Sequence, residues 1–105
     1  MRFEFATATR IIFGPGTLRE VGDIAAQLGK RALVVTGRTT DRAAPLLTVL
    51  DAKFVTYVTF AVSEEPTTDI VRQGTQKAQE SHCEMVIGFG GGSPLDAGKA
   101  IATLL

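Results

Sequence analysis

Apolar residues fall along this chain in two rhythms. At Phe3-Glu4-Phe5 apolar and polar positions alternate, and a second short apolar run follows at Ile11-Ile12-Phe13. Both read as strands paired in a hairpin, with Gly14-Pro15-Gly16 ending the second. From Leu18 the period lengthens. Leu18, Val21, Ile24, Ala25 and Leu28 recur at helical spacing, Thr17-Leu18-Arg19-Glu20 fits a capping box, and Gly29 is a stop signal. Ala32-Leu33-Val34-Val35-Thr36 shows no polar alternation, which marks a strand buried on both faces, as in parallel sheets.

The alternation of element types continues. After the turn Gly37-Arg38-Thr39-Thr40, a helix is predicted from near Asp41 to about Leu50, with Pro45 tolerable in its first turn. Phe54-Val55-Thr56-Tyr57-Val58 is β-branched and aromatic and reads as a strand. A loop from Ala61 to Pro66 leads to a helix capped by Thr67 or Thr68 and reaching about His82. Met85 to Phe89 is another buried strand, Gly90-Gly91-Gly92 a loop, and Ser93 the start of a last helix that runs to Leu105. Strands alternating with helices predict an α/β unit with a parallel sheet and right-handed crossovers.

Composition narrows the function classes. Apolar residues make up 45% and charged residues 21%, ordinary for a folded domain of one modest core. Eleven basic residues balance eleven acidic ones, so nothing electrostatic favours a nucleic-acid partner. The opening lacks the apolar core of a signal peptide, and no apolar run approaches the ~20 residues of a membrane span. A cytoplasmic protein with no membrane partner is the expectation. The one cysteine, Cys83, excludes an intrachain disulfide, and with one histidine, His82, no metal-binding cluster of its own is expected. Both residues are read as packing or surface residues at a helix end. No catalytic residue is assigned.

Most of the chemistry lies in Gly88-Phe89-Gly90-Gly91-Gly92-Ser93-Pro94-Leu95-Asp96-Ala97-Gly98-Lys99. Glycines between a buried strand and a helix start let the backbone turn sharply and approach a ligand closely. The helix start behind them offers unpaired N–H groups and a positive dipole end, suited to a pyrophosphate. The simpler reading is a well-capped turn: Ser93 at the N-cap, Pro94 at N1, Asp96 capping in return, and Lys99 pairing with Asp96. Both readings can hold at once. A Walker loop is excluded, since Ala100 follows Gly98-Lys99 and Ser93 stands five before Gly98. The G-x-G-x-x-G fingerprint fails too, because Ser93 stands where its third glycine belongs.

The string from Gly90 to Ile101 resembles the GGGSxxDxxKxI signature of iron-containing (group III) alcohol dehydrogenases, relatives of which include lactaldehyde reductases, butanol dehydrogenases and maleylacetate reductases. The order of elements around Arg10-Ile11-Ile12-Phe13-Gly14-Pro15-Gly16 and Arg31-Ala32-Leu33-Val34-Val35-Thr36 matches as well, so the resemblance covers essentially the whole chain. It implies a partial Rossmann-like sheet with flanking helices and an N-terminal β-hairpin. It also implies an NAD(P)-dependent oxidoreductase interconverting an alcohol and an aldehyde or ketone. Residues 1–105 would be the N-terminal part of the dinucleotide-binding domain. An all-helical second domain, carrying an aspartate and three histidines that hold Fe²⁺ or sometimes Zn²⁺, would be absent. The uncapped apolar ending Ala100 to Leu105 agrees with a longer protein.

By position in the family pattern, Gly91, Gly92, Ser93 and Asp96 would meet the pyrophosphate and its ribose. Gly37 stands where NAD-preferring relatives carry an aspartate. With Arg38 and Thr39 beside it, the turn slightly favours NADP. Glu65, before Pro66, occupies the loop near the adenine, where relatives often have Asn. A small alcohol or aldehyde is the expected full-length substrate. A homo-oligomer is expected because a half-built sheet leaves an edge open. Two other readings stay open: a standalone nucleotide- or anion-binding module, and a ligand-free oligomerisation domain.

Overall fold

The computed structural model describes residues 2–7, 10–15, 18–38, 40–63, 65–90 and 92–105, with side chains from Leu18 onward except at Thr40. The elements are β1 (Arg2–Thr7), β2 (Arg10–Pro15), α1 (Leu18–Leu28), β3 (Arg31–Thr36), a 3-10 turn (Thr40–Ala43), α2 (Ala44–Ala52), β4 (Thr56–Ala61), α3 (Thr68–Glu80), β5 (Met85–Phe89) and α4 (Gly92–Leu104). They build one five-stranded sheet in the order β2-β1-β5-β3-β4. β3 pairs in parallel with β4 and with β5, and β1 pairs antiparallel with both β2 and β5. The hairpin therefore joins the parallel strands and makes the sheet mixed.

The uninterrupted apolar runs in β3 and β5 have a physical cause: helices cover both faces. Ala32, Val34, Met85 and Ile87 pack with Val21 and Ala25 of α1 and Leu46 and Leu50 of α2. Leu33, Val35 and Val86 pack on the other face with Val71 and Ala78 of α3 and Ala97 and Ile101 of α4. Where helix and sheet approach most closely, glycine stands. A Cβ on Gly88 would lie 3.3 Å from the Pro94 carbonyl oxygen and 3.4 Å from Leu95 Cα.

Several boundaries differ from those read in the sequence. The second helix starts as a 3-10 turn, and its α-helical part runs Ala44–Ala52, with Pro45 in the first turn where no backbone donor is lost. β4 begins at Thr56 rather than Phe54. Phe54 has φ 60 and ends α2: its N–H bonds the Asp51 carbonyl, and Val55 N–H bonds that of Leu50. That pair of bonds is a Schellman exit, which spends Phe54 on helix termination. α3 ends at Glu80 in the same way, with His82 at φ 56 and its N–H on the Gln79 carbonyl. Thr67 caps α3 as expected, its hydroxyl accepting from Ile70 N–H at 3.2 Å. β2 continues through Gly14 and Pro15, which is tolerable because β2 is an edge strand. The Thr17 capping box lies outside the described residues.

Candidate functional site

From β3 the chain crosses to β4 on one side, and after β4 it returns to β5 on the other side of β3. The direction of winding thus changes between β3 and β5. The helices that follow them leave on opposite faces, α2 with α1 and α4 with α3. Such a switch point opens a crevice beyond the carboxyl ends of the strands, the usual place for a ligand in α/β sheets. Its two walls are the turn after β3, beginning at Gly37, and the glycine turn after β5.

Pro94 lies near both turns. It is buried although it sits in the first turn of α4. A Cβ on Gly37 would meet the Pro94 Cγ at 3.8 Å, and one on Gly90 would meet the same atom at 3.6 Å. Gly90 has φ 124, a conformation that side-chain-bearing residues rarely adopt. On the β3 side, the buried Thr36 hydroxyl donates to the Gly37 carbonyl at 3.0 Å, and the Thr36 carbonyl accepts Val62 N–H at 2.8 Å. Thr36 thereby fixes the start of one wall and ties it to the chain leaving β4. Sequence reasoning missed both Thr36 and Pro94. Thr36 reads as the last residue of a strand and Pro94 as a helix starter, and neither reading discloses a contact between distant turns.

The helix start differs from the expected one. α4 begins at Gly92, so Ser93 is its second residue and not the N-cap, and Asp96 lies past the N3 position of a capping box. Glycine is itself an acceptable helix-start residue, so a run of glycines before a serine leaves the first helical position open to tertiary packing. The shift matters electrostatically. α4 carries no acidic residue in its first turn, whereas α3 carries Asp69 in its own. The positive end of the α4 dipole is therefore left for an outside anion. Gly92 is exposed, and a Cβ there would meet nothing within 4 Å, so the backbone borders open space.

Of the residues assigned from sequence, Gly37 follows the carboxyl end of β3, and Gly92 and Ser93 open α4 after β5. Arg38 is exposed just beyond Gly37, and Asp96 is exposed one turn into α4. Glu65 is exposed in the connection after β4, on the far side of β3 from the glycine turn. Gly91 and Thr39 lie outside the described residues.

Elsewhere, Cys83 is half-buried. Burial pushes its thiol up, partly opposed by the Arg31 guanidinium beside it, so it is no activated nucleophile. Among the described residues no group of three or more His, Cys, Asp or Glu side chains gathers, so a resident metal does not fit them. No helix among them is long and apolar enough to cross a membrane.

Known proteins share this arrangement. The family model "Iron-containing alcohol dehydrogenase" matches residues 8–105. The long-chain primary alcohol dehydrogenase AdhA of Thermoanaerobacter ethanolicus is 31% identical over 98% of this chain and 28% of its own length. The NADH-dependent butanol dehydrogenase A of Clostridium acetobutylicum is 28% identical over 97% of this chain and 28% of its own length. An iron-containing alcohol dehydrogenase of Thermotoga maritima, known from its crystal structure, superposes with a TM-score of 0.74 at 38% identity, over 83% of this chain and 26% of that one. The chain thus spans little more than a quarter of the length of each of these three proteins. Signature and overall fold agree with the family match along nearly the whole length: this chain belongs to the iron-containing alcohol dehydrogenase family.

Proposed function

We propose that this chain is the dinucleotide-binding portion of an alcohol dehydrogenase that interconverts an alcohol and an aldehyde or ketone. In this reading the cofactor pyrophosphate sits on the glycine turn. The carrying observation is the open space beside Gly92, at the start of a helix whose first turn bears no acidic residue and which follows β5, the strand paired with β3 before Gly37. When bound, the nicotinamide supplies the hydride chemistry. This chain's share is to hold and orient: α4 N–H groups on phosphate oxygens, Ser93 beside them, and the Gly37 turn at the adenosine end. Isothermal calorimetry with NAD and NADP on the 105-residue chain is expected to show weak binding of both. Alcohol-dependent NAD(P)H formation is expected to stay at background even with added Fe²⁺ or Zn²⁺. No detectable affinity for either dinucleotide would overturn the reading.

Cofactor choice follows from the same wall. Gly37 offers no carboxylate to pair with ribose hydroxyls or to repel a 2′-phosphate, and Arg38 beside it is an exposed cation. The proposal is that NADP binds at least as tightly as NAD. Gly37→Asp should then weaken NADP about tenfold or more relative to NAD, through like-charge repulsion. An unchanged ratio would show that the turn does not set the choice.

A further inference from the structure

Among the described residues, β4 is a terminal strand of the sheet, hydrogen-bonded on one side only, to β3. Thr56 N–H bonds the Lys30 carbonyl and Val62 N–H the Thr36 carbonyl, so the even-numbered residues of β4 turn their backbone groups toward β3. Strand geometry then turns the backbone groups of Tyr57, Thr59 and Ala61 outward. Such an edge is a template for another strand. One outward acceptor is already taken: the Lys77 ammonium, reaching from α3, donates to the Thr59 carbonyl.

The strand itself has none of the usual defences. The run Thr56-Tyr57-Val58-Thr59-Phe60-Ala61 holds no charge, proline or glycine. Its composition suits a copy of itself. In an antiparallel pairing with Thr59 opposite Thr59, the outward groups of Tyr57 face those of Ala61. Val58 then stands opposite Phe60 on one sheet face, and Thr59 opposite Thr59 on the other. Aromatic with β-branched, and Thr with Thr, are favourable cross-strand pairs, and no like charges meet within the strands. Lys77 sits where this pairing would be centred, because the two-fold axis passes beside Thr59 and the Lys77 side chains of both copies would hold the central acceptors.

We propose that the outer edge of β4 is a latent docking surface for β4 of a second copy of this chain, and that Lys77 keeps it closed. Displacing Lys77 frees the Thr59 carbonyl and also removes an ammonium that the pairing would bury. A continuous sheet through both copies is the resulting form, with isologous contacts as in any two-fold dimer.

The test is sedimentation equilibrium of the 105-residue chain, with circular dichroism to show that each variant is folded. Lys77→Met and Lys77→Gln are both expected to strengthen dimerisation at least tenfold over the parent, while Lys77→Arg leaves it near the parental level. Adding Thr59→Pro to Lys77→Met should return association to the parental level, since the Thr59 N–H faces away from β3 and its loss spares the native ladder. Association unchanged in both the Met and Gln variants would overturn the proposal. So would an increase that survives Thr59→Pro in a folded protein.

Discussion

Gly90 and Gly92 lie two residues apart and answer to different constraints. Gly90 holds φ 124, so Gly90→Ala is expected to lower stability by about 1–3 kcal/mol, read from urea unfolding. Gly92 is helical, and its missing Cβ would point into open space, so Gly92→Ala should change stability by less than about 0.5 kcal/mol. Gly92→Val, under the proposed function, puts a branched side chain where the phosphate would rest. Its fold should survive, while calorimetric binding of NAD and NADP falls below detection. Retained binding in the Val variant would exclude this turn as the pyrophosphate site. The turn between β5 and α4 was legible in the sequence as a glycine run between a buried strand and a helix start; its binding of an anion is the proposal made above. The role of Pro94 was not legible: its ring meets Gly37 only because two strands far apart in the chain lie side by side.

Helix ends are where local preference and tertiary structure part company in this fold. α2 and α3 both leave through Schellman exits that need a left-handed residue, and they use Phe54 and His82 there instead of glycine. Phe54 is 90% exposed, so its ring returns little packing for the strained backbone. Left-handed backbone costs a side-chain-bearing residue about 1–2 kcal/mol, and glycine's added chain entropy offsets part of that gain. Phe54→Gly and His82→Gly should each raise the thermal midpoint by a few degrees, and a lower midpoint in both would refute the account. The same feature explains a misplaced boundary. Phe54 has strand propensity, and nothing in its neighbours announces a helix exit, so periodicity extends the strand back to it. Every helix and strand was otherwise legible from its apolar spacing. The pairing of β1 with β5 was not, since a non-local partner leaves no period. Between elements, Lys53 at the end of α2 lies 2.8 Å from Asp23 of α1. The hydrogen bond and charge of Lys53 hold the Asp23 carboxyl below the usual aspartate range. A depressed folded-state value means that this link contributes fully above the ordinary aspartate pKa and is lost as pH falls through the depressed one. In an NMR titration, Lys53→Met should move the Asp23 midpoint upward. An unmoved midpoint would show that the pair does not form in solution.

At the scale of the whole molecule, two cores share one sheet. Leu33 faces α3 and α4, Val34 faces α1 and α2, and both are fully buried. Leu33→Ala should cost about 2–5 kcal/mol. The loss should appear equally on both faces if the sheet unfolds as one unit. The single tyrosine, Tyr57, packs against the α1/α2 core and the single cysteine, Cys83, against the α3/α4 core, so each face carries its own reporter. Coincident shifts of Tyr57 fluorescence and Cys83 thiol accessibility during urea unfolding are expected. A shift confined to Cys83 would mean that the faces melt separately. The Pro94 ring lies near two distant parts of the chain, and this bears on how the sequence can change over generations. An added Cβ at position 37 or at position 90 would reach the same ring atom at ordinary contact distance, 3.8 and 3.6 Å, so the ring by itself closes neither site to a small side chain. Position 37 has room for a side chain, whereas position 90 is held to glycine by its backbone angle. A lineage can therefore vary 37 freely as far as packing goes, while a change at 90 waits on a rebuilt turn.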